Sequence, residues 1–400
     1  MQRSALREWS EMGRETILKN VVFCYENVGF SLIQKMWVSS NKRPKKRVYH
    51  RVHELDHAID LQKRPRLVLQ LKDILLKQRG ESILLRDLEK EVGLIAKWNF
   101  MACIQNYPKI FKVSGGNRKP PLLEFTDDAK FILRDESMVK ELMEPILVKN
   151  LRKLLMMSSE RRIPLFKIEQ IKHEMGLPED FAEIIVPKYP QFFKLEEIFG
   201  VAHLVLEEWD PLLAVTAREL GANPNGLSLT RRTYIPKDGN FDGPYAFKIN
   251  YPDGFKPRLR QLEEMAKWQN MAFSSPYTFP MAVDVSTPAS QKRFVAVLHE
   301  VLSLTLEKRL TANKLDAFHV EYKLPSRLLH LIVRHNGIFY LTNKGAHSTV
   351  FLKEAYEGHN VIDKCVLLRY HDRFLKLMGR KDLPLRKAPA TIELKRDWIP

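Results

Sequence analysis

His53, Glu54 and His57 stand in the spacing H-E-x-x-H. On a helix this spacing stacks two imidazoles one turn apart, where they can hold zinc while the glutamate acts as general base. The surroundings argue otherwise. The flanking YHRV and AIDLQKR are polar and basic where the helix of a buried active site is mostly apolar, and Asp56 intrudes into the motif. His50 lies one turn before His53, but no helical third ligand follows. The pattern reads as histidines on a basic helix, with a zinc-dependent hydrolase through His53, Glu54 and His57 as the enzymatic alternative. There is no phosphate-binding G-x-x-x-x-G-K-[ST], no dinucleotide-binding G-x-G-x-x-G after a strand and no nucleophile G-x-S-x-G. Cys24, Cys103 and Cys365 are too few and too far apart for a disulfide framework or a cysteine zinc site. The chain is therefore expected to be no enzyme and to need no cofactor or metal.

The composition favours binding to a polyanion. Among 400 residues, 65 Lys and Arg face 48 Asp and Glu, a net charge of +17. Residues 42–79 hold twelve of the basic side chains and four acids. From this segment Lys42, Arg43, Lys45, Lys46, Arg47, Arg51, Lys63, Arg64 and Arg66 are candidate phosphate contacts. No apolar run reaches the length of about 20 residues that a membrane-spanning helix needs.

These residues must be positioned by a repeated element, because three stretches share one pattern. In the first, RLVLQLKDILLKQRG (66–80), LLRDLEKEVG (84–93) and AKWNFMACIQNYP (96–108) read as three helices ended by Gly80, Gly93 and Pro108. IFKV (110–113) and LLEFT (122–126) then read as a hairpin. The second copy runs through helices at 145–158, 163–176 and 177–190 to FFKL and VAHLVLEEW. The third takes helices at 290–309, 315–323 and 324–336, then IFYLT and TVFLK. YPKIFKV, YPQFFKL and HNGIFYL occupy the same place in each. Three helices and a hairpin are the winged-helix form of the helix-turn-helix, whose third helix commonly lies on nucleic acid.

Helical phase assigns faces to the third helices. In the first copy Ala96, Phe100, Cys103, Ile104 and Tyr107 point inward, leaving Lys97, Trp98, Asn99, Ala102, Gln105 and Asn106 elsewhere. Trp98 either stacks a base or packs on a neighbouring helix, and Asn99 and Gln105 suit base edges. Lys109, Lys112, Arg118 and Lys119 extend the basic surface onto the hairpin. In the third copy Leu328, Leu329, Leu331 and Ile332 are expected inward and Arg327, His330 and Arg334 outward. The second copy turns Phe181, Ile184 and Ile185 inward and Glu179, Asp180 and Glu183 outward, a face that repels RNA and suits a spacer or a protein contact.

The expected organisation is a mainly helical α+β chain. A targeting or flexible segment at 1–41 precedes a basic segment with the first module at 42–143. The second module spans 144–209, and an inserted loop-rich segment at 210–289 carries one amphipathic helix (258–271) and one strand (246–251). The third module spans 290–371, and a basic, flexible tail covers 372–400. Residues 1–40 mix Arg and Lys with Glu8, Glu11, Glu15 and Glu26, unlike a transit peptide, whereas MWVSSNKRPKKR from Met36 is closer to one.

KKRVYHRVHELDHAIDLQKRP (45–65), LLRDLEKEVGLIAKWNFMACIQNYPKIFKV (84–113), LEFTDDAK (123–130), YPQFFKL (189–195) and YPDGFKPRLRQLEEMAKWQNMAFSSPY (251–277) together resemble the plant organelle RNA recognition domain family. The resemblance implies a basic, helical, non-enzymatic protein imported into mitochondria, or alternatively chloroplasts. There it would bind group II intron RNA, alone or with other splicing factors, and promote splicing. A protein-assembly scaffold is the remaining alternative, and the acidic face of the second copy is its main support.

Overall fold

A computed structural model describes residues 51–78, 80–92, 94–116, 119–221, 239–241, 243–251, 257–278 and 287–379, without the side chains of 89, 92–99, 116 and 119. All belong to the second of two units into which the chain divides, Arg51–Pro400. The expected N-terminal targeting segment lies outside the described residues.

One arrangement is built three times. First come α1 (His53–Lys77), β1 (Ser82–Leu84), α2 (Leu88–Val92), α3 (Leu94–Asn106), β2 (Phe111–Gly116) and β3 (Lys119–Phe125). After α4 (Asp127–Leu133) the second copy follows: α5 (Glu136–Met156), β4 (Arg162–Pro164), α6 (Leu165–Met175), α7 (Phe181–Lys188), β5 (Phe193–Ile198) and β6 (Val201–Leu206). Beyond α8 (Ala217–Gly221) and α9 (Leu259–Asn270) stands the third: α10 (Pro288–Leu304), β7 (Arg309–Thr311), α11 (Ala312–Asp316), α12 (Leu328–Arg334), β8 (Phe339–Thr342) and β9 (Thr349–Leu352). A small ribbon, β10 (Tyr356–Glu357) and β11 (Asn360–Val361), and α13 (Val366–Leu375) close the described chain. The architecture is thus α-rich α+β with small antiparallel sheets.

The sequence predicts two-stranded hairpins, but the sheet of each copy has three strands, ordered β1-β3-β2, β4-β6-β5 and β7-β9-β8. The added strand is three residues long with only its middle side chain buried, too short for alternation to show in sequence. The residue before it has a left-handed backbone in every copy: Glu81 (φ 52°), Arg161 (φ 55°) and Lys308 (φ 53°). A second shared turn precedes β2, β5 and β8, the edge strands opposite the added one. The carbonyl of Tyr107 accepts from the backbone N–H groups of Ile110 and Phe111, Tyr189 from Phe192 and Phe193, and His335 from Ile338 and Phe339.

Several boundaries differ from expectation. α1 starts at His53 and runs through Pro65, and α5 starts at Glu136 and runs through Pro145. In each, apolar burial continues on both sides of the proline and outweighs its lost backbone donor. α11 is Ala312–Asp316, not 315–323. Residues 246–251 form no strand. The Gln269 amide pairs with both the N–H and the carbonyl of Phe247 at 2.8 Å, and Asn240 with those of Ile249, so side chains satisfy this backbone in place of a sheet.

The cores do not follow the modules one to one. The second and third modules share one core, which also takes Phe247, Ile249 and Tyr277 from the segment between them. The first module has its own core around Leu71, Phe100, Phe111 and Leu123, completed by Phe374 and Leu375 of α13. Residues 372–375 are therefore helix with Phe374 fully buried, not the start of a flexible tail; the part of that tail beyond 379 lies outside the described residues. A third, small cluster joins Leu55 and Ala58 of α1 to Tyr340 and Phe351 of the third module.

Buried charges tie these parts together. Glu300, on α10, accepts from Lys153 (2.7 Å), the Tyr277 hydroxyl (2.6 Å) and the Ala217 backbone (2.7 Å). Lys292, also fully buried, donates to the carbonyls of Trp268, Gln269 and Met271 at 2.7–2.9 Å, capping the C-terminal end of α9. Glu136 holds Lys72 of α1 and Tyr370 of α13 at 2.9 and 2.8 Å. No helix among the described residues is long and apolar enough to cross a membrane.

Candidate nucleic-acid interface

The candidate contacts fall on three exposed surfaces. On α1, apolar positions Leu55, Ala58, Pro65, Val68, Leu71 and Leu75 recur at helical spacing and are buried. Arg51, just before the helix, and Lys63, Arg64 and Arg66 are left in solvent. Lys63 meets Asp60 at 2.8 Å, and Asp60 also pairs with Lys344 from the third module's hairpin. Hydrogen bonds from Lys344 and then Lys63 hold the Asp60 carboxyl down at about 2. One carboxylate thus offsets part of this surface's charge, which leaves Arg64 and Arg66 as its stronger candidates for phosphate contact.

On the first module, Phe100, Cys103 and Ile104 of α3 are buried and Tyr107 is half-buried, as helical phase predicts. Ala102, Gln105 and Asn106 are exposed on the opposite side, with Lys109 and Lys112 exposed beyond the helix. Lys112 pairs with Glu124 across the β2–β3 ladder. Lys97, Trp98 and Asn99 lie within α3 and Lys119 opens β3, but their side chains, like all of Arg118, are outside the described residues. So are Lys42, Arg43, Lys45, Lys46 and Arg47.

On the third module, α12 buries Leu328, Leu331 and Ile332 and exposes Arg327, His330 and Arg334. Leu329, expected inward, is 48% exposed. It lies roughly 110° around the helix from the buried set, and a two-turn helix docks only one narrow arc. Ile184 of α7 is 55% exposed for the same reason, while Glu179, Asp180 and Glu183 are exposed as predicted. The Arg334 guanidinium donates to Gln291 at 3.1 Å, which orients its head toward the start of α10. Behind this face His335 stacks on Trp268 at 5.0 Å between ring centroids. Burial, and next the Arg334 charge, pushes the His335 imidazole down to about 3, so it stays neutral.

The structure brings the α1 surface to the third module, since Leu55 and Ala58 pack on Tyr340 and Phe351 and Asp60 engages Lys344. No hydrogen bond or ion pair among the described residues joins Arg327, His330 or Arg334 to the α1 or α3 sets. Sequence reasoning missed Lys344. It stands between β8 and β9 as Arg118 stands in sequence between β2 and β3, and equal weight on both connections finds it.

The helix leaves the H-E-x-x-H residues in solvent and buries the acid between them. His53, Glu54 and His57 are exposed, while Asp56 is buried and accepts from the hydroxyls of Tyr340 (2.9 Å) and Thr342 (2.6 Å). Among the described residues no three His, Cys, Asp or Glu side chains converge on a metal position.

Residues 50–383 match the family model described as the plant organelle RNA recognition domain. The chain is 32% identical over 342 residues to the rice (Oryza sativa subsp. japonica) protein WHAT'S THIS FACTOR 1 homolog, chloroplastic, covering 84% of this chain and 66% of that protein. It is 30% identical over 386 residues to ROOT PRIMORDIUM DEFECTIVE 1 of Arabidopsis thaliana, covering 91% and 90%. WHAT'S THIS FACTOR 9, mitochondrial, of Arabidopsis thaliana is 24% identical over 339 residues. The chain thus spans just under two thirds of the length of the rice relative. No solved structure matches it.

Proposed function

Because the chain belongs to the plant organelle RNA recognition family, we propose that it binds group II intron RNA in an organelle and promotes splicing by holding the intron in a folded form. The observation that carries this reading is the family match across residues 50–383, with exposed basic side chains on α1, the first hairpin and α12 as its physical counterpart.

Helix, strand, two helices and a hairpin, repeated with one sheet order, support taking each copy as a winged helix. The first and third then present Gln105, Lys109 and Lys112, or Arg327, His330 and Arg334, to RNA, and the second does not. Binding is electrostatic capture followed by local contacts to bases and phosphates. The protein performs no bond chemistry of its own; the folded RNA supplies it.

The test is immunoprecipitation of the tagged full chain from isolated organelles, with sequencing of the bound RNA and of unspliced transcripts in plants lacking the protein. Enrichment of particular introns that also fail to splice is the expected result; unenriched introns and normal splicing would overturn it. The rice relative is named as chloroplastic and WHAT'S THIS FACTOR 9 as mitochondrial. Mitochondrial import is our reading, and a fluorescent fusion reads the compartment directly.

A further inference from the structure

The second module departs from the other two in what it shows to solvent. The turn of its hairpin is Phe199-Gly200, and Phe199 is fully exposed with a left-handed backbone (φ 51°), a conformation that bulky side chains rarely adopt. Gly200 follows at φ 75°, completing a tight two-residue turn. In sequence, Asn117 and Arg118 stand between β2 and β3, and Asn343, Lys344 and His347 stand between β8 and β9.

Leu195 and Glu197 follow Phe193 by two and four positions along β5, so both lie on the sheet side that carries the buried Phe193, toward the hairpin tip. α7 packs against β5 and turns Glu183 and the exposed Ile184 outward. Leu195 is 44% exposed. α7, β5 and the turn after it thus expose Ile184, Leu195 and Phe199, and with them Asp180, Glu183 and Glu197. No ion pair engages these three acids among the described residues, although Glu179 is taken by Lys172 and Glu196 by Lys194.

An acidic, apolar face on a chain of net charge +17 is unsuited to RNA. We infer that this face of the second module docks a basic amphipathic helix of a partner protein, whose apolar stripe covers Ile184, Leu195 and Phe199 and whose Lys and Arg residues flank it against Asp180, Glu183 and Glu197. Charge complementarity selects this occupant. A second copy of the chain is disfavoured by the mutual repulsion of two strongly basic molecules. Docking of an amphipathic helix draws on the combination present here, apolar anchors for affinity and charges that fix orientation. This inference stands apart from the RNA reading, which neither α7 nor β5 supports.

The test uses the RNA-free full chain and a fluorescein-labelled 14-residue peptide of Leu and Lys in amphipathic helical spacing, followed by anisotropy at physiological salt. Saturable binding is expected, weakened at least tenfold by Phe199→Ser with Ile184→Ser and by Asp180→Lys with Glu183→Lys. A peptide of equal charge with Ser in place of Leu should bind at least tenfold more weakly than the original. Melting curves confirm that each variant is folded, and Arg334→Gln, away from this face, should bind the peptide like the unaltered chain. Three results would each overturn the inference: equal affinity of folded variants, equal affinity of the two peptides, or sedimentation showing that the face instead joins two copies of the chain. Intron binding by the same variants is expected to persist, so the two readings fail independently.

Discussion

The Asp56 carboxylate and the Tyr340 hydroxyl, 284 positions apart, form a buried hydrogen bond of 2.9 Å, and the same oxygen accepts from Thr342 at 2.6 Å. The helix that begins the first module is thereby fastened to the third module's sheet. Asp56→Ala removes the acceptor shared by these two buried hydroxyls and should cost about 2–6 kcal/mol, from about 1–3 per affected group. Denaturant unfolding of Asp56→Ala, Tyr340→Phe and the double variant checks this. The double variant should lose less than the sum of the singles, and strict additivity would mean the pair is not coupled.

The exposed histidines of the same helix should be dispensable. Metal analysis of the purified chain should find well under one zinc per molecule, and His57→Ala should keep both its melting temperature and its RNA affinity. Stoichiometric, tightly held zinc would restore the hydrolase reading.

Neutralising α12 should weaken RNA binding through charge. Arg327→Gln with Arg334→Gln removes two phosphate contacts, which lowers the slope of log affinity against log salt by about 1.4 on single-stranded RNA. Glu183→Ala should bind RNA as well as the unaltered chain or slightly better, because removing a negative charge near phosphates cannot weaken their attraction. An unchanged salt slope in the double arginine variant would remove α12 from the interface.

Acid should weaken the fold in two stages. His335 is held down at about 3 by burial and then by Arg334, whereas an unfolded imidazole titrates near 6.5. The unfolded chain therefore takes up a proton that the folded chain refuses, and stability present above about pH 6.5 is lost on the way toward pH 3. By pH 5 the loss from this group reaches about 2 kcal/mol. Burial alone would raise the Glu136 carboxyl, but Lys72 and Lys140 outweigh it and hold the group at about 2. Its stabilising effect is present above the ordinary carboxylate range and lost as pH falls toward 2. Melting temperatures from pH 7 to 3 check both. His335→Asn should flatten the upper part of the profile and Glu136→Gln the lower, and unaltered profiles would contradict the assignment.

Phe374→Ala should cost about 3–5 kcal/mol, as for other buried aromatics. Hydrogen exchange should place most of the loosening in the first module, around Leu71 and Phe111. Loosening confined to residues near α13 itself would mean that the helix rests on that core without completing it.

Local regularity made the triplication legible: YPKIF, YPQFF and HNGIF mark the same turn, and the spacing of Phe100, Cys103 and Ile104 marks the buried side of α3. What escaped depends on partners distant in sequence. Nothing near Asp56 foretells Tyr340, nothing near Phe374 foretells the core around Leu71, and Pro65 and Pro145 read locally as helix breaks until the burial on either side of them is known. Helical phase sufficed to put Arg327, His330 and Arg334 on the exposed side. It failed at Leu329 and Ile184, where short helices bury less than a full apolar face.

The seating of Phe374 and Leu375 among the side chains of the first module has a consequence for the order of events in synthesis. Domains emerging from the ribosome usually fold from the N-terminus onward. Here the earliest module waits for one of the latest helices, across a loop of roughly 250 residues whose closure is slow. Until then Val68, Leu71 and Phe100 lack part of their cover, while the second and third modules can assemble their common interior first. The nascent chain is therefore most prone to aggregate at its oldest end.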